Sequence, residues 1–388
     1  MENFNEKASA IALGTIFGYE PAAARTLTEN LGSASAVFAM TPDQLDDLFG
    51  PFDRFRQEIN LPAYEKAEKE LGRLTSLGYQ ILAITDGDYP ALLKECPDAP
   101  VALYVRSDSP ACEIFNTVPC ISVVGTRDIS PYGAERCTAL VAAMATAPAK
   151  PAIVSGLALG VDVTAHMAAL SHSLPTIAVL PTDIETVYPS RHRVVAEKIA
   201  SAPGSALITD FPSGTGPVPF NFLRRNRIIA GMSQSTILVE SKLKGGGTMT
   251  ARLAAGYGRD VFCVPGRMDD VRSQGCNLLI YEKVAEPILS ERLLGEALGL
   301  GRFSRRRKSD LHEEVRRLYS DRTDARGLSG ILDIVEQVRS NRGIDIDELS
   351  RRVGMGFPDT AAIVGMLEND GIVCTDLLRR CSINLKFA

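Results

Sequence analysis

Between Phe222 and Gly266 the chain reads FLRRNRIIAGMSQSTILVESKLKGGGTMTARLAAGYGRDVFCVPG. This stretch holds the cations Arg224, Arg225, Arg227, Lys242, Lys244, Arg252 and Arg259 against the acids Glu240 and Asp260. The whole chain has a formal net charge of -5, so the positive charge here is local, and a local concentration of cations calls for an anionic ligand. Gly245, Gly246 and Gly247 lie between a short apolar run, Thr236 to Val239, and a helical pattern from Thr248 to Tyr257. Strand, glycine loop and helix is the order that presents backbone N–H groups and a helix N-terminus to a phosphate. The spacing is not the GxxxxGK[ST] of a P-loop, and three glycines alone also make an ordinary tight turn. It is their adjacency to the arginines that points to phosphate.

Other candidate chemistry is weaker. Asp162 and His166, one helical turn apart in GVDVTAH, have the residue types of an acid–base pair, but no nucleophile, metal ligand or second acid accompanies them, which favours a structural hydrogen-bonding role. The eight cysteines form no CxxC pair and no zinc-ligand spacing, so they read as buried reduced thiols. The loop Gly125-Thr126-Arg127 is not GxGxxG, and no strand ends in an acid placed for a ribose 2′-hydroxyl; NAD and FAD are therefore not expected. No cofactor, metal or catalytic residue is expected.

The elements that must position these residues follow from pattern. At 388 residues the chain exceeds one ordinary core. Hydrophobic residues make up 45% and charged residues 23%, with no apolar run long enough to span a bilayer. The start, MENFNEKASA, has no signal-peptide pattern, so the cytoplasm is the default compartment and no membrane partner is expected. Short helices over Ala8 to Phe17, Pro21 to Leu31, Ala34 to Met40 and Pro42 to Phe49, punctuated by Gly32 and Gly50, make a helical module resembling SAM or helix-hairpin-helix domains. Apolar runs at Tyr79 to Ile84, Val101 to Val105, from Cys120, Ala152 to Ser155, Thr176 to Leu180, Ala206 to Thr209, Thr236 to Val239 and Asp260 to Val264 alternate with helices. They predict an α/β fold with a doubly wound, mostly parallel sheet, whose ligand lies outside the carboxyl ends of the strands. Gly125-Thr126-Arg127, Ser155-Gly156 and Gly245 to Thr248 fall at those ends. A basic run, Arg302 to Lys308, reads as a tether, and three helices with two short terminal strands read as a winged helix. Its helix after Phe357 carries Asp359 and Glu368 and no basic residue, poor chemistry for a major groove. The expected domains are 1–60, 61–300, a linker at 301–328, and 329–388.

Taken in order, YPALLKECPDAPVALYV, ISVVGTRDISPYG, IVSGLALGVDVTAHMAAL, TVYPSRH, FLRRNRIIAG, GGGTMTA, GRDVFCVPG and GCNLLI resemble the DprA/Smf (DNA processing protein A) family from about Tyr89 to Ile280. The resemblance implies an extended Rossmann-like domain that binds single-stranded DNA and loads a RecA-type recombinase on it during transformation or recombination, without catalysis, and that forms a homodimer through this domain. It places the DNA-binding positions at Gly125, Thr126, Arg127, Ser155, Gly156, Phe222, Arg225, Asn226, Arg227 and the loop Gly245 to Thr248; Arg224, Lys242 and Lys244 join them as neighbouring cations. Amides and arginines would hold phosphates and Phe222 would stack on a base. Leu159 stands where the family has arginine, Leu223 where it has proline, and GGGT where SGSL is usual. The competing class is an enzyme related to the nucleoside-monophosphate phosphoribohydrolases, whose PGGxGTxxE is matched here by KGGGTMTARLAAG without the glutamate. A mononucleotide sensor is the third reading.

Overall fold

The computed structural model describes residues 5–301, 311–320, 322–341, 343–376 and 380–383. The chain divides into two compact units, Met1–Ser304 and Arg305–Ala388.

The first unit is built on nine strands: β1 Gln80–Ala83, β2 Ala102–Arg106, β3 Cys120–Val124, β4 Ala152–Ser155, β5 Thr176–Val179, β6 Ala206–Thr209, β7 Ser235–Leu238, β8 Asp260–Cys263 and β9 Glu286–Pro287. Every apolar run expected as a strand is one. They lie in the order β1-β2-β6-β5-β4-β3-β7-β8-β9. From β6 to β9 all neighbours are parallel, whereas β2 pairs antiparallel with both β1 and β6.

Successive side chains of a strand point to opposite faces, so uninterrupted apolar strands need cover on both. Ile121, Val123, Ile153 and Ile237 enter one core with Leu140, Met144, Ala165 and Leu294 from the helices Pro131–Met144, Val161–Ser171 and Glu291–Ala297. Val124, Val154, Leu238 and Cys263 enter the other with Ile228, Ala251 and Leu279 from Pro219–Gly231, Gly246–Gly256 and Gln274–Tyr281. The front-end helices join this second core. Ile11, Leu13 and Phe17 of Glu6–Phe17 pack in the same cluster as Ile81, Leu82, Val101 and Leu103, so the front-end helices share their core with the sheet.

β3 is central. The chain runs from it through β4, β5 and β6 on one side, then returns to β7 on the other. The helix after β3 covers one face and the helix after β7 covers the other, so the loops leaving these two parallel neighbours diverge and open a crevice at their carboxyl ends. At the root of the crevice the loops nearly touch. A Cβ on Gly125 would sit 2.5 Å from Val161 Cγ2 and 2.7 Å from the Glu240 carbonyl oxygen, and one on Gly247 would lie 2.8 Å from Gly125 Cα.

The second unit has its own core. Leu311, Val315 and Tyr319 of Leu311–Tyr319 pack with Ile331, Ile334, Val335 and Val338 of Ala325–Ser340, and with Leu349, Val364 and Leu367 of Ile346–Val353 and Phe357–Asn369. A small antiparallel sheet completes it, with β10 Ile344–Asp345, β11 Val373–Thr375 and β12 Arg380–Ile383 in the order β10-β12-β11. The segment 301–328, read from sequence as a linker, thus contains a helix whose buried face belongs to this core. The Leu311, Val315 and Tyr319 spacing is helical; the charges between them mask it. The basic run 302–308 lies outside the described residues.

Gly125→Ala is expected to destabilise the first unit by about 1–3 kcal/mol through overpacking against Val161 and backbone, lowering Tm by roughly 2–4 °C per kcal/mol. Thermal melting followed by circular dichroism checks this; an unchanged Tm would mean that the two loops do not approach so closely.

Candidate functional site

A cleft of about 650 Å³ occupies the crevice between β3 and β7. Its first wall is the loop after β3, Gly125, Thr126, Arg127 and Asp128; its second is the loop after β7, with Ser241, Lys242 and Gly245 to Gly247. Tyr188 and the first turns of the helix Pro219–Gly231, with Pro219, Phe222, Leu223, Arg225 and Asn226, close the third side.

Glu240 holds the two loops together. Its carbonyl oxygen accepts from the Thr126 N–H at 2.7 Å, and its buried carboxylate accepts from the Ser130 N–H at 2.9 Å and Ser130 Oγ at 2.5 Å. Within the glycine loop the Gly245 N–H donates to the Lys242 carbonyl at 3.0 Å, and Thr248 Oγ1 donates to Ser241 Oγ at 2.9 Å. The N–H groups of Gly246 and Gly247, first in their helix, have no acceptor among the described residues, as helix geometry requires for a first turn without a side-chain cap. Two free amides at a helix N-terminus are a ready anion seat.

The arginines separate into two kinds. Arg127 is exposed, its guanidinium 4.7 Å from the centre of the Phe222 ring, and neither it nor the exposed Lys242 has a carboxylate partner among the described residues. Arg225 is 3% exposed. It pairs with Asp162 at 3.6 Å and donates to the carbonyl oxygens of Gly156, at 2.5 Å, and Val179, with its Nε on Asn226 Oδ1 at 3.1 Å. Burial pulls its pKa down to about 10, against the stabilising charge of Asp162, and the nearby charge of Arg127 pulls it further. Burial likewise raises the Asp162 carboxyl, with Arg225 opposing. The floor of the cleft therefore carries a buried cation paired with Asp162, beside a second cation in water.

The structure brings Gly125, Thr126, Arg127, Phe222, Arg225, Asn226, Lys242 and Gly245 to Gly247 to one cleft. It does not bring the other expected residues there. Arg224 and Arg227 turn to the buried carboxylate of Asp210, and Arg227 also donates to the Asp98 carbonyl. Ser155 is buried with its Oγ donating to the Val123 carbonyl at 2.6 Å, and Gly156 offers its carbonyl to Arg225. Thr248 is buried in the loop's own hydrogen bonds, and Lys244 is exposed outside the cleft lining. In FLRRNR the helical repeat allows one cation to face the cleft floor, while its neighbours at one and two positions away point elsewhere.

Tyr188 was not singled out by sequence. It is 41% exposed and meets Phe222 edge to face at 5.4 Å; its signal was the aromatic in TVYPSRH, a loop whose path the pattern does not give. Asp162 and His166 do not face one another as an acid–base pair. Asp162 serves Arg225, while His166 is fully buried with Nδ1 2.7 Å from Thr176 Oγ1. Burial, then the charges of Arg225 and His192, lower its pKa to about 3, which keeps it neutral. Among the described residues no cluster of three or more metal-ligating side chains exists, and no helix is long and apolar enough to cross a membrane.

A sequence model of the family described as DNA recombination-mediator protein A matches residues 80–298. The protein Smf of Synechocystis sp. is 32% identical over 300 residues, which are 76% of this chain and 73% of that protein. The DNA processing protein DprA of Streptococcus pneumoniae is 36% identical over 200 residues, 52% of this chain and 68% of that protein. The X-ray structure of DNA processing protein A from Streptococcus pneumoniae superposes with a TM-score of 0.54 at 28% identity, covering 67% of this chain and 92% of that one. DNA processing protein A from Helicobacter pylori, in a structure described for its unique single-stranded DNA binding mode, gives 0.50 at 29% identity, covering 57% and 95%.

The buried imidazole predicts a pH dependence. Folded His166 stays neutral to about pH 3, while the unfolded side chain protonates near 6.5. The unfolded state binds more protons between these values, so stability falls as pH drops through that window, by about 2 kcal/mol at pH 5. Asp162, raised by burial from 3.8, acts in the opposite sense, its folded form keeping the proton longer. Urea unfolding at pH 7 and pH 5 is expected to show a loss about 2 kcal/mol smaller in His166→Gln than in the parent; equal losses would remove His166 as the responsible group.

Proposed function

We propose that this chain, which belongs to the DNA recombination-mediator protein A family, binds single-stranded DNA through its backbone phosphates in the cleft between β3 and β7. The observation that carries the reading is the placement of two exposed cations without carboxylate partners among the described residues, Arg127 and Lys242, around the free amides of Gly246 and Gly247. Cations and amides hold phosphates irrespective of sequence. The exposed ring of Tyr188 and the half-buried ring of Phe222 beside them suit unpaired bases, since every base offers a π-face. Gly125, Thr126, Arg225 and Asn226 shape the floor. The Helicobacter pylori relative, described for binding single-stranded DNA, supports the same ligand here.

Delivery of the bound strand to a RecA-type recombinase is the second part of the proposal. Its support is the family's description as a recombination mediator. Homodimerisation through the sheet-bearing unit rests on the family resemblance. We read the front-end helices as a SAM or helix-hairpin-helix-like module built onto the sheet and the second unit as a winged helix. The helix Phe357–Asn369 has Asp359 and Glu368 and no basic residue, which favours a protein contact over groove reading. The site is a binding site and not a catalytic one. The cleft carboxylate Asp162 is buried on Arg225, Asp128 pairs with Arg272 at 3.3 Å, and the helix after the glycine loop has no acid to stabilise an oxocarbenium-like centre. The assembly acts in the cytoplasm.

Fluorescence-anisotropy titration of a labelled single strand across salt concentrations tests the reading. Arg127→Ala and Lys242→Ala are each expected to weaken binding for all sequences alike and to lower the salt slope by about 0.7, with stability changed by less than about 0.5 kcal/mol. Arg225→Ala is expected to cost about 3–5 kcal/mol of stability instead, because it strands Asp162 without a partner. Unchanged affinity and slope in both surface variants would show that the strand does not lie in this cleft.

A further inference from the structure

Tyr19 and Phe220 are large aromatic side chains held in solvent, 64% and 56% exposed. Tyr19 comes from the turn between the first two front-end helices, after the positive-φ Gly18, and Phe220 from the first turn of Pro219–Gly231. Their rings meet edge to face, with centroids 5.3 Å apart and planes at 75°. The pair is fixed from below. The Arg224 guanidinium lies 5.1 Å from the centre of the Tyr19 ring and 5.0 Å from that of the buried Phe211, and is itself held by Asp210 at 3.2 Å. Arg224 is thus spent on positioning an aromatic ring and on a buried carboxylate.

The pair also continues the cleft. Pro217, Pro219 and Leu223, the neighbours of Phe220 in the chain, line it, and Val218 and Leu223 add exposed apolar surface beside them. Exposed apolar surface continuous with a cleft that carries free cations marks a place for an apolar part of the same ligand. The charges beside the pair are already matched, Arg224 by Asp210 and Glu20 by Arg54. A single strand seated by its phosphates at Arg127 and Lys242 would present such surfaces along this strip, in the bases next to the seated ones.

We propose that Tyr19 and Phe220 form a second base-stacking station, in which the front-end helices extend the single-strand path beyond the cleft. The ligand class is unpaired nucleobases of the strand already bound there, so the inference rests on the reading of the cleft. Stacking on an aromatic side chain is tolerant of base identity, so the station lengthens the site without adding sequence preference. It also disfavours duplex, whose bases have no free faces.

Strand length separates the inference from its premise. A labelled oligothymidine of about 4 nucleotides covers the cleft alone, and one of about 12 reaches the strip. The double variant Tyr19→Ala, Phe220→Ala is expected to bind the short strand as the parent does and the long strand about tenfold more weakly. Tyr19→Phe with Phe220→Tyr should restore the long-strand affinity. In the parent, replacing the bases beyond the first few by abasic sites should reproduce the loss. Equal loss on both strands, or no loss on either, overturns the second station, and a matching fall in Tm would assign the pair to bracing the front-end helices. If the parent holds neither strand, the reading of the cleft fails and the station with it.

Discussion

The buried guanidinium of Arg225 is the interaction on which the site depends. A cation withdrawn from water is tolerable only when its donors are satisfied and a counter-charge is near. Here the carbonyls of Gly156 and Val179, the Asn226 side chain and Asp162 supply that, drawn from the loop after β4, the end of β5, and the helix Val161–Ser171. One side chain thereby ties the helix Pro219–Gly231 across the carboxyl ends of the central strands. Gly156 is glycine because the guanidinium occupies the space a Cβ would take. With that helix fixed, Phe222 is held under Arg127, and the first turn projects Phe220 beside Tyr19.

The consequence is a division of labour among residues of one type. Arg225, Arg224 and Arg227 are committed to carboxylates and carbonyls inside the protein, whereas Arg127 and Lys242 are left in water at the cleft. The local positive charge needed for a polyanion therefore does not come from the arginine-rich helix. It comes from two loops that leave neighbouring strands in opposite directions, joined at their root by Glu240. The net charge of -5 is compatible with this, since a strand responds to the potential within a Debye length of the cleft.

The strands were legible because buried parallel strands are short unbroken apolar runs, and the pattern pointed to their carboxyl ends; that the crevice opens between β3 and β7 depends on the strand order, which the sequence does not state. The glycine loop and Arg127 were legible for the same reason: both are adjacent in sequence to a strand's carboxyl end. What the pattern did not give was the direction of each arginine in FLRRNR, because a charged residue on a helix reads as solvated until its counter-charge is known. The counter-charges, Asp210 and Asp162, lie outside this helix, on other segments of the chain. Tyr188 was missed because it lies in a loop without periodicity. The helix Leu311–Tyr319 was read as linker because its apolar positions are separated by charges; tertiary packing decides such a segment. The fusion of the front-end helices with the sheet's core depends on which faces meet, which periodicity alone does not state.

The most direct test of the account is to map where a single strand lies. A photo-crosslinkable oligothymidine carrying 4-thiothymidine, irradiated in complex with the full chain and digested for mass spectrometry, identifies the contacted peptides. The account predicts crosslinks at Tyr188, at Phe222 and in the segment 242–248, lost when Arg127 and Lys242 are both replaced by alanine. Crosslinks confined to the second unit, or a pattern indifferent to that double replacement, would contradict it.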